Sequence, residues 1–122
     1  MPISKNIDAV QSPKAYPPEV EAAIEHVTRR LRDGLHPSRI YLFGSYARRD
    51  YGPDSDLDFL VVVPSSSERR LHRAQQAYRL LHGIGLPKDV LVLSEEEWSR
   101  ERRSGVSLSN VVVQEGILLY ES

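Results

Sequence analysis

The chain of 122 residues has no cysteine, one methionine, one tryptophan and two phenylalanines. Without thiols, disulfide scaffolds, thiolate metal centres and cysteine nucleophiles are all excluded. No stretch approaches 18 consecutive apolar residues, so no membrane-spanning helix is expected. The N-terminal residues, with Lys5, Asp8 and several prolines, carry no apolar signal region, and the cytoplasm is the expected location. Lysine is scarce, at 3 residues against 13 arginines. Arginine suits planar, bidentate contact with phosphate or carboxylate, which points to an anionic ligand or acidic partner beside a solvated surface. A net charge of −1 argues against a protein that coats DNA or RNA. There is no Gly-x-x-x-x-Gly-Lys loop, so an ordinary P-loop ATPase is not supported. His26, His36, His72 and His82 form no spaced ligand motif, and no serine has a partnered histidine at recognisable spacing. Neither a histidine metal site nor a hydrolase triad is therefore expected.

What is present, 40% apolar and 27% charged residues, suits one soluble globular domain with a real core. Residues 1–17, containing Pro2, Pro13 and Pro17, are expected to be a flexible arm or an ordered contact in an oligomer. Residues 18–122 are expected to be the folded domain. Pro18, Glu19 and Glu21 suit a helix start, and Val20, Ile24, Val27 and Leu31 follow at helical spacing until Gly34 stops the run. Residues 39–43 read as a strand that ends at Gly44-Ser45, and residues 46–50 as one helical turn. Residues 51–55 are dense in turn formers, and residues 57–63 read as a central strand covered on both faces. A helix over 67–82 is expected to bury Leu71, Ala74, Tyr78 and Leu81 and to turn Arg69, Arg70, Arg73 and Arg79 to solvent. A third strand over 90–93 leads into a capping box, Ser94-Glu95-Glu96-Glu97, opening a helix that carries Trp98. Residues 107–115 read as a short helix and 117–120 as a last strand. The order predicts an α/β (α+β) domain, a small mixed β-sheet with helices packed on it.

The chemistry is concentrated in residues 44–58, GSYARRDYGPDSDLD. In a strand, residues two apart share a face about 6.5–7 Å apart, so Asp56 and Asp58 present their carboxylates side by side while Leu57 enters the core. Two such donors with open positions suit Mg²⁺, which is held by one or two carboxylates plus substrate phosphates. Gly44 would let the backbone approach those phosphates, and Ser45 would add a hydroxyl and an N–H. A third carboxylate is needed as ligand or base, and Asp89, at the edge of the third strand, is the best placed. Tyr78 and Trp98, at helical spacing, read as core residues.

Gly44-Ser45, ten intervening residues and Asp56-Leu57-Asp58 resemble the signature of the DNA polymerase β-like nucleotidyltransferase superfamily. The chain from about residue 18 onward is similar to its minimal nucleotidyltransferase (MNT) branch. The resemblance implies the polymerase β-like fold, ATP as substrate and two Mg²⁺ ions. It implies phosphate-holding roles for Gly44 and Ser45, metal binding by Asp56, Asp58 and Asp89, and help from Asp89 in deprotonating the acceptor. Ala47-Arg48 also fits the pattern, and Arg48 is taken as a nucleotide-binding residue, whereas Arg49 stands where the family often has glycine. The larger members' added helical domain is not expected here. Minimal nucleotidyltransferases resemble the antitoxin partners of HEPN-domain ribonucleases, some of which transfer AMP to a tyrosine hydroxyl of the toxin. The expected partner is such a HEPN toxin, in a hetero-oligomer or beside a homodimer. Two other functions fit the same residues: a non-catalytic antitoxin that neutralises by binding, and a transferase for a small acceptor such as an aminoglycoside.

Overall fold

The computed structural model describes residues 15–122. Most of the expected flexible arm, residues 1–14, lies outside the described residues; its last residues, Ala15 to Pro17, are packed on the domain, as shown below. The elements run α1 (Pro18–Leu35), β1 (Arg39–Phe43), α2 (Ser45–Arg48), β2 (Leu57–Val63), α3 (Arg70–Leu80), β3 (Lys88–Ser94), α4 (Glu95–Arg102), α5 (Leu108–Glu115) and β4 (Ile117–Glu121). The four strands form one sheet in the order β3-β2-β1-β4. β1 runs antiparallel to both β2 and β4, while β2 and β3 are parallel and joined through α3. A mixed sheet follows from this connectivity, because parallel neighbours need a long crossover and antiparallel ones do not.

β2 is central, and its near-continuous apolar sequence serves two cores. Leu57, Phe59, Val61 and Val63 pack with α1 and α3, through Val27, Leu31, Ala77 and Leu81. Leu60 and Val62 face Trp98 of α4 and Val112 of α5. The alternation of the pleat puts Asp58 on the Leu60 face, one residue beyond the end of that second core. Trp98 is buried under Arg39 and stacks on Tyr41 at 5.3 Å between ring centroids. Among the described residues no helix is long and apolar enough to cross a membrane.

The expected elements are present, with two corrections. Gly34 does not end α1, which continues to Leu35 and is capped by His36 in the left-handed conformation, its N–H bonded to Arg32 O. Gly34 serves packing instead, because a Cβ there would stand 2.5 Å from the Leu80 methyl carbons of α3. Leu81, just past the end of α3, is buried as expected, but within the helix the buried residues are Arg73 and Ala77 rather than Leu71, Ala74 and Tyr78. Leu71 is 70% exposed and Arg73 only 5%. The reason is electrostatic: Glu97 takes the Arg73 guanidinium in a bidentate pair at 2.8 and 3.0 Å, so the cation enters the interior with its partner.

Candidate active site

β1 delivers the chain to Gly44 at the same level at which β2 starts. Asp58 is the Cα partner of Phe43 across the antiparallel ladder and of Asp89 across the parallel one. One residue thus sits between the Gly-Ser turn on one side and the second acidic strand on the other, with neighbouring strands about 5 Å apart. Gly44 has φ 78° and ψ −158°, a backbone conformation open to glycine. Its missing side chain matters as much as its torsions: a Cβ on Gly44 would collide with Asp58 Oδ2. Gly44→Ala is therefore expected to displace the Asp58 carboxylate and strain the turn together. Its effect should be a fall in melting temperature and loss of any catalytic activity, read by thermal melts and a transfer assay.

Asp58 is half-buried and its carboxyl is raised above the usual carboxylate range, by burial first and then by the charges of Asp89 and Asp56, with Arg48 opposing. Asp56 is exposed and lies just before β2 rather than within it. Asp89 is exposed in β3, and its Oδ1 accepts a 2.5 Å hydrogen bond from the Tyr78 hydroxyl. The Tyr78 oxygen in turn accepts from the Val90 backbone N–H at 3.0 Å. The Tyr78 phenol is raised by burial and by its bond to Asp89, so it stays protonated and donating. Arg48 reaches Asp50 at 3.1 Å and Glu115 at 3.4 Å, held by the protein's own carboxylates on an exposed flank. The structure thus brings Gly44, Asp58 and Asp89 together, with Asp56 and Arg48 close enough to act on Asp58 electrostatically. Among the described residues, no group of three or more His, Cys, Asp or Glu side chains is arranged to hold a metal ion. Asp89 commits one oxygen to Tyr78 instead.

The turn after Ser45 has its own support. Arg49, where glycine is the usual choice, adopts φ 68° and ψ 23°. A left-handed non-glycine residue costs about 1 kcal/mol. Its guanidinium lies 3.9 Å from the Tyr16 ring centroid, an attraction that offsets the strain. Tyr46 and Tyr51 stack at 4.3 Å, Tyr16 donates to Tyr46 O at 2.7 Å, and Tyr51 donates to Ala15 O. Residues 15 and 16 are thereby pinned against the turn that follows Gly44. Sequence reasoning missed both Tyr78 and this tyrosine cluster. The available signal for Tyr78 was its place late in the crossover helix, which must lie over the start of the next strand.

A nucleotidyltransferase domain family model matches residues 24–118, which contain Gly44, Ser45, Arg48, Asp56, Asp58, Tyr78 and Asp89. The chain belongs to the nucleotidyltransferase domain family. Within the family it is 34% identical to MJ0604 of Methanocaldococcus jannaschii, provisionally named a protein adenylyltransferase, over 82% of this chain and 97% of that protein. It is 37% identical to MJ0141 of the same organism, which bears the same provisional name, over 51% of this chain and 59% of that protein. Its structure resembles that of a toxin–antitoxin solved with AMP-PNP, with a TM-score of 0.54 and 26% identity over 80% of this chain and 73% of that one. A provisionally assigned nucleotidyltransferase from Sulfolobus solfataricus shares the fold, with a TM-score of 0.57 and 23% identity over 88% of this chain and 90% of that one. The nucleotidyltransferase domain here thus has the mixed α/β architecture expected from its sequence.

Proposed function

We propose that this nucleotidyltransferase domain is a cytoplasmic, Mg²⁺-dependent protein adenylyltransferase that moves AMP from ATP to a tyrosine hydroxyl of a HEPN-domain toxin, acting as its antitoxin. The observation that carries the reading is the crowding of carboxylates around Gly44. Asp58 lies against the glycine with Asp89 beside it and Asp56 close by, and its carboxyl is raised by burial first and then by the charges of Asp89 and Asp56. Such a set is unfavourable alone and is relieved by a cation. Mg²⁺ needs only one or two carboxylates when phosphates supply its other oxygens, so the donors fit it without a ready-made three-ligand site: Asp58 and Asp56 would hold it beside the phosphates, and the free oxygen of Asp89 would join them once nucleotide is bound. When bound, the ion supplies charge neutralisation at the phosphates. Kinship to proteins named as adenylyltransferases supports the acceptor class, and likeness to a toxin–antitoxin solved with AMP-PNP supports the nucleotide and the partner.

In this reading Gly44 and Ser45 receive the phosphates with backbone and hydroxyl, and Arg48 exchanges Asp50 and Glu115 for a phosphate oxygen. The acceptor oxygen bonds to the α-phosphorus, the bond to the bridging oxygen breaks, pyrophosphate leaves, and Asp89 takes the hydroxyl proton. The test is to incubate the protein with ATP, Mg²⁺ and the product of the adjacent open reading frame, then weigh that product. One or more AMP units on a tyrosine are expected, and none with Asp56→Asn plus Asp58→Asn. No mass gain, with the variant still neutralising the partner, would replace transfer by simple binding. Labelling of small hydroxyl compounds alone would replace the protein acceptor.

A further inference from the structure

We infer that Tyr78 is a positioning residue of the site: from α3 its hydroxyl fixes the Asp89 carboxylate so that the second oxygen is presented beside Asp58. The inference rests on the role proposed for Asp89 and names a residue outside the Gly-Ser and Asp-x-Asp pattern. Asp89 stands at the exposed start of β3, the outermost strand on its side of the sheet, with β2 on one flank only. A carboxylate in such a place rotates freely unless something holds it. Tyr78 holds it from outside the sheet. Its oxygen is itself fixed by accepting from the Val90 N–H at 3.0 Å while it donates to Asp89 Oδ1 at 2.5 Å. The strand's own backbone therefore sets where the phenol stands, and the phenol sets where the carboxylate points. With Oδ1 taken, Oδ2 is the oxygen left for an ion or an acceptor proton. Groups that orient a metal-binding carboxylate in this way are worth about 10–100-fold in metal affinity or activity.

A packing role makes a different prediction. Tyr78 is 40% exposed, so its ring contributes little to the core, and Phe would keep what it does contribute. Tyr78→Phe is expected to lower kcat for AMP transfer about 10–100-fold with the KM for ATP within about twofold, and to weaken Mn²⁺ binding about tenfold. Mn²⁺ affinity is read by electron paramagnetic resonance in the presence of a non-hydrolysable ATP analogue. A fall in melting temperature with kcat and Mn²⁺ affinity unchanged would reduce Tyr78 to a structural residue and overturn the inference. Because Tyr78 acts through Asp89, adding Tyr78→Phe to Asp89→Asn should cost no further activity, and full additivity would overturn the coupling. The Mn²⁺ measurement separates the two levels of the argument. If the wild-type protein transfers no AMP, the proposed function fails, yet weakened Mn²⁺ binding in Tyr78→Phe still upholds the positioning role and unchanged binding removes it.

Discussion

Asp58→Asn is expected to abolish AMP transfer while making the metal-free protein more stable. The two effects have one cause. Asp58 is half-buried beside Asp89 and Asp56, and its carboxyl is raised by that burial and by those charges. A carboxyl whose folded value lies above its unfolded value stabilises the fold below the unfolded value and loses that contribution as pH rises through the folded one. At neutral pH the ionised carboxylate therefore works against folding, and the neutral amide removes the repulsion at almost constant shape. The same substitution removes a central proposed oxygen donor. Metal assistance is worth several kcal/mol in phosphoryl transfer, and each 1.36 kcal/mol is tenfold, so the loss should reach about a thousandfold or more. Melting with and without Mg²⁺ plus ATP gives the second readout, since a ligand that binds only the folded state raises the midpoint. Wild type should gain stability on adding them and Asp58→Asn should not. A variant less stable than wild type without metal would show that Asp58 is held by favourable contacts, contrary to the crowding seen around Gly44.

The part of this site legible in the sequence is the part set by local spacing. Ten residues between Ser45 and Asp56 are enough for a one-turn helix and a tight return, so β1 and β2 had to be antiparallel neighbours with Gly44 near Asp58. An apolar strand, a helix and another strand then make a parallel crossover, which brought Asp89 level with Asp58. What was not legible depends on pairs far apart in the chain. Arg73 reads as surface because an arginine inside is rare without a partner, and its partner Glu97 lies 24 residues away across β3. Tyr78 reads as core because its spacing matches a buried stripe, whereas the rotation that buries Arg73 carries Tyr78 outward to Asp89. Arg49 breaks the local rule for a left-handed position, and its contact with the Tyr16 ring, 33 positions earlier, offsets that strain. Local propensity names the elements, and these long-range pairs decide how α2 and α3 meet the site.

Glu97→Ala is expected to be the most damaging change to the fold outside the apolar core, because three elements converge on that carboxylate. Glu97 Oε1 accepts from the Ser94 N–H at 2.9 Å, closing the capping box that starts α4. The same carboxylate takes both Arg73 guanidinium nitrogens from α3, and Arg70 approaches at 3.5 Å. Arg73 also donates to Val92 O of β3, but its Nε has no partner, so no spare acceptor awaits it once Glu97 is gone. Stranding a buried cation costs about 3–5 kcal/mol, a large share of the 5–15 kcal/mol typical of a domain. The melting temperature should fall by about 10–20 °C. Arg73→Met should cost much less, since Glu97 keeps Ser94 and Arg70 and a methionine fills the space with apolar atoms. Acid provides the same test without mutation. The Arg73 bond and the Ser94 N–H hold the Glu97 carboxyl at about 2 against an ordinary 4.5, so the unfolded chain binds the extra proton between those values. Glu97 thus contributes its stability fully above about pH 4.5 and loses it as pH falls towards 2, a term of order 2 kcal/mol once solvent screening is allowed for. Subtracting the pH dependence of Glu97→Gln from that of wild type should expose this term. An identical acid slope in both proteins would mean that the Arg73 pair contributes nothing to the fold.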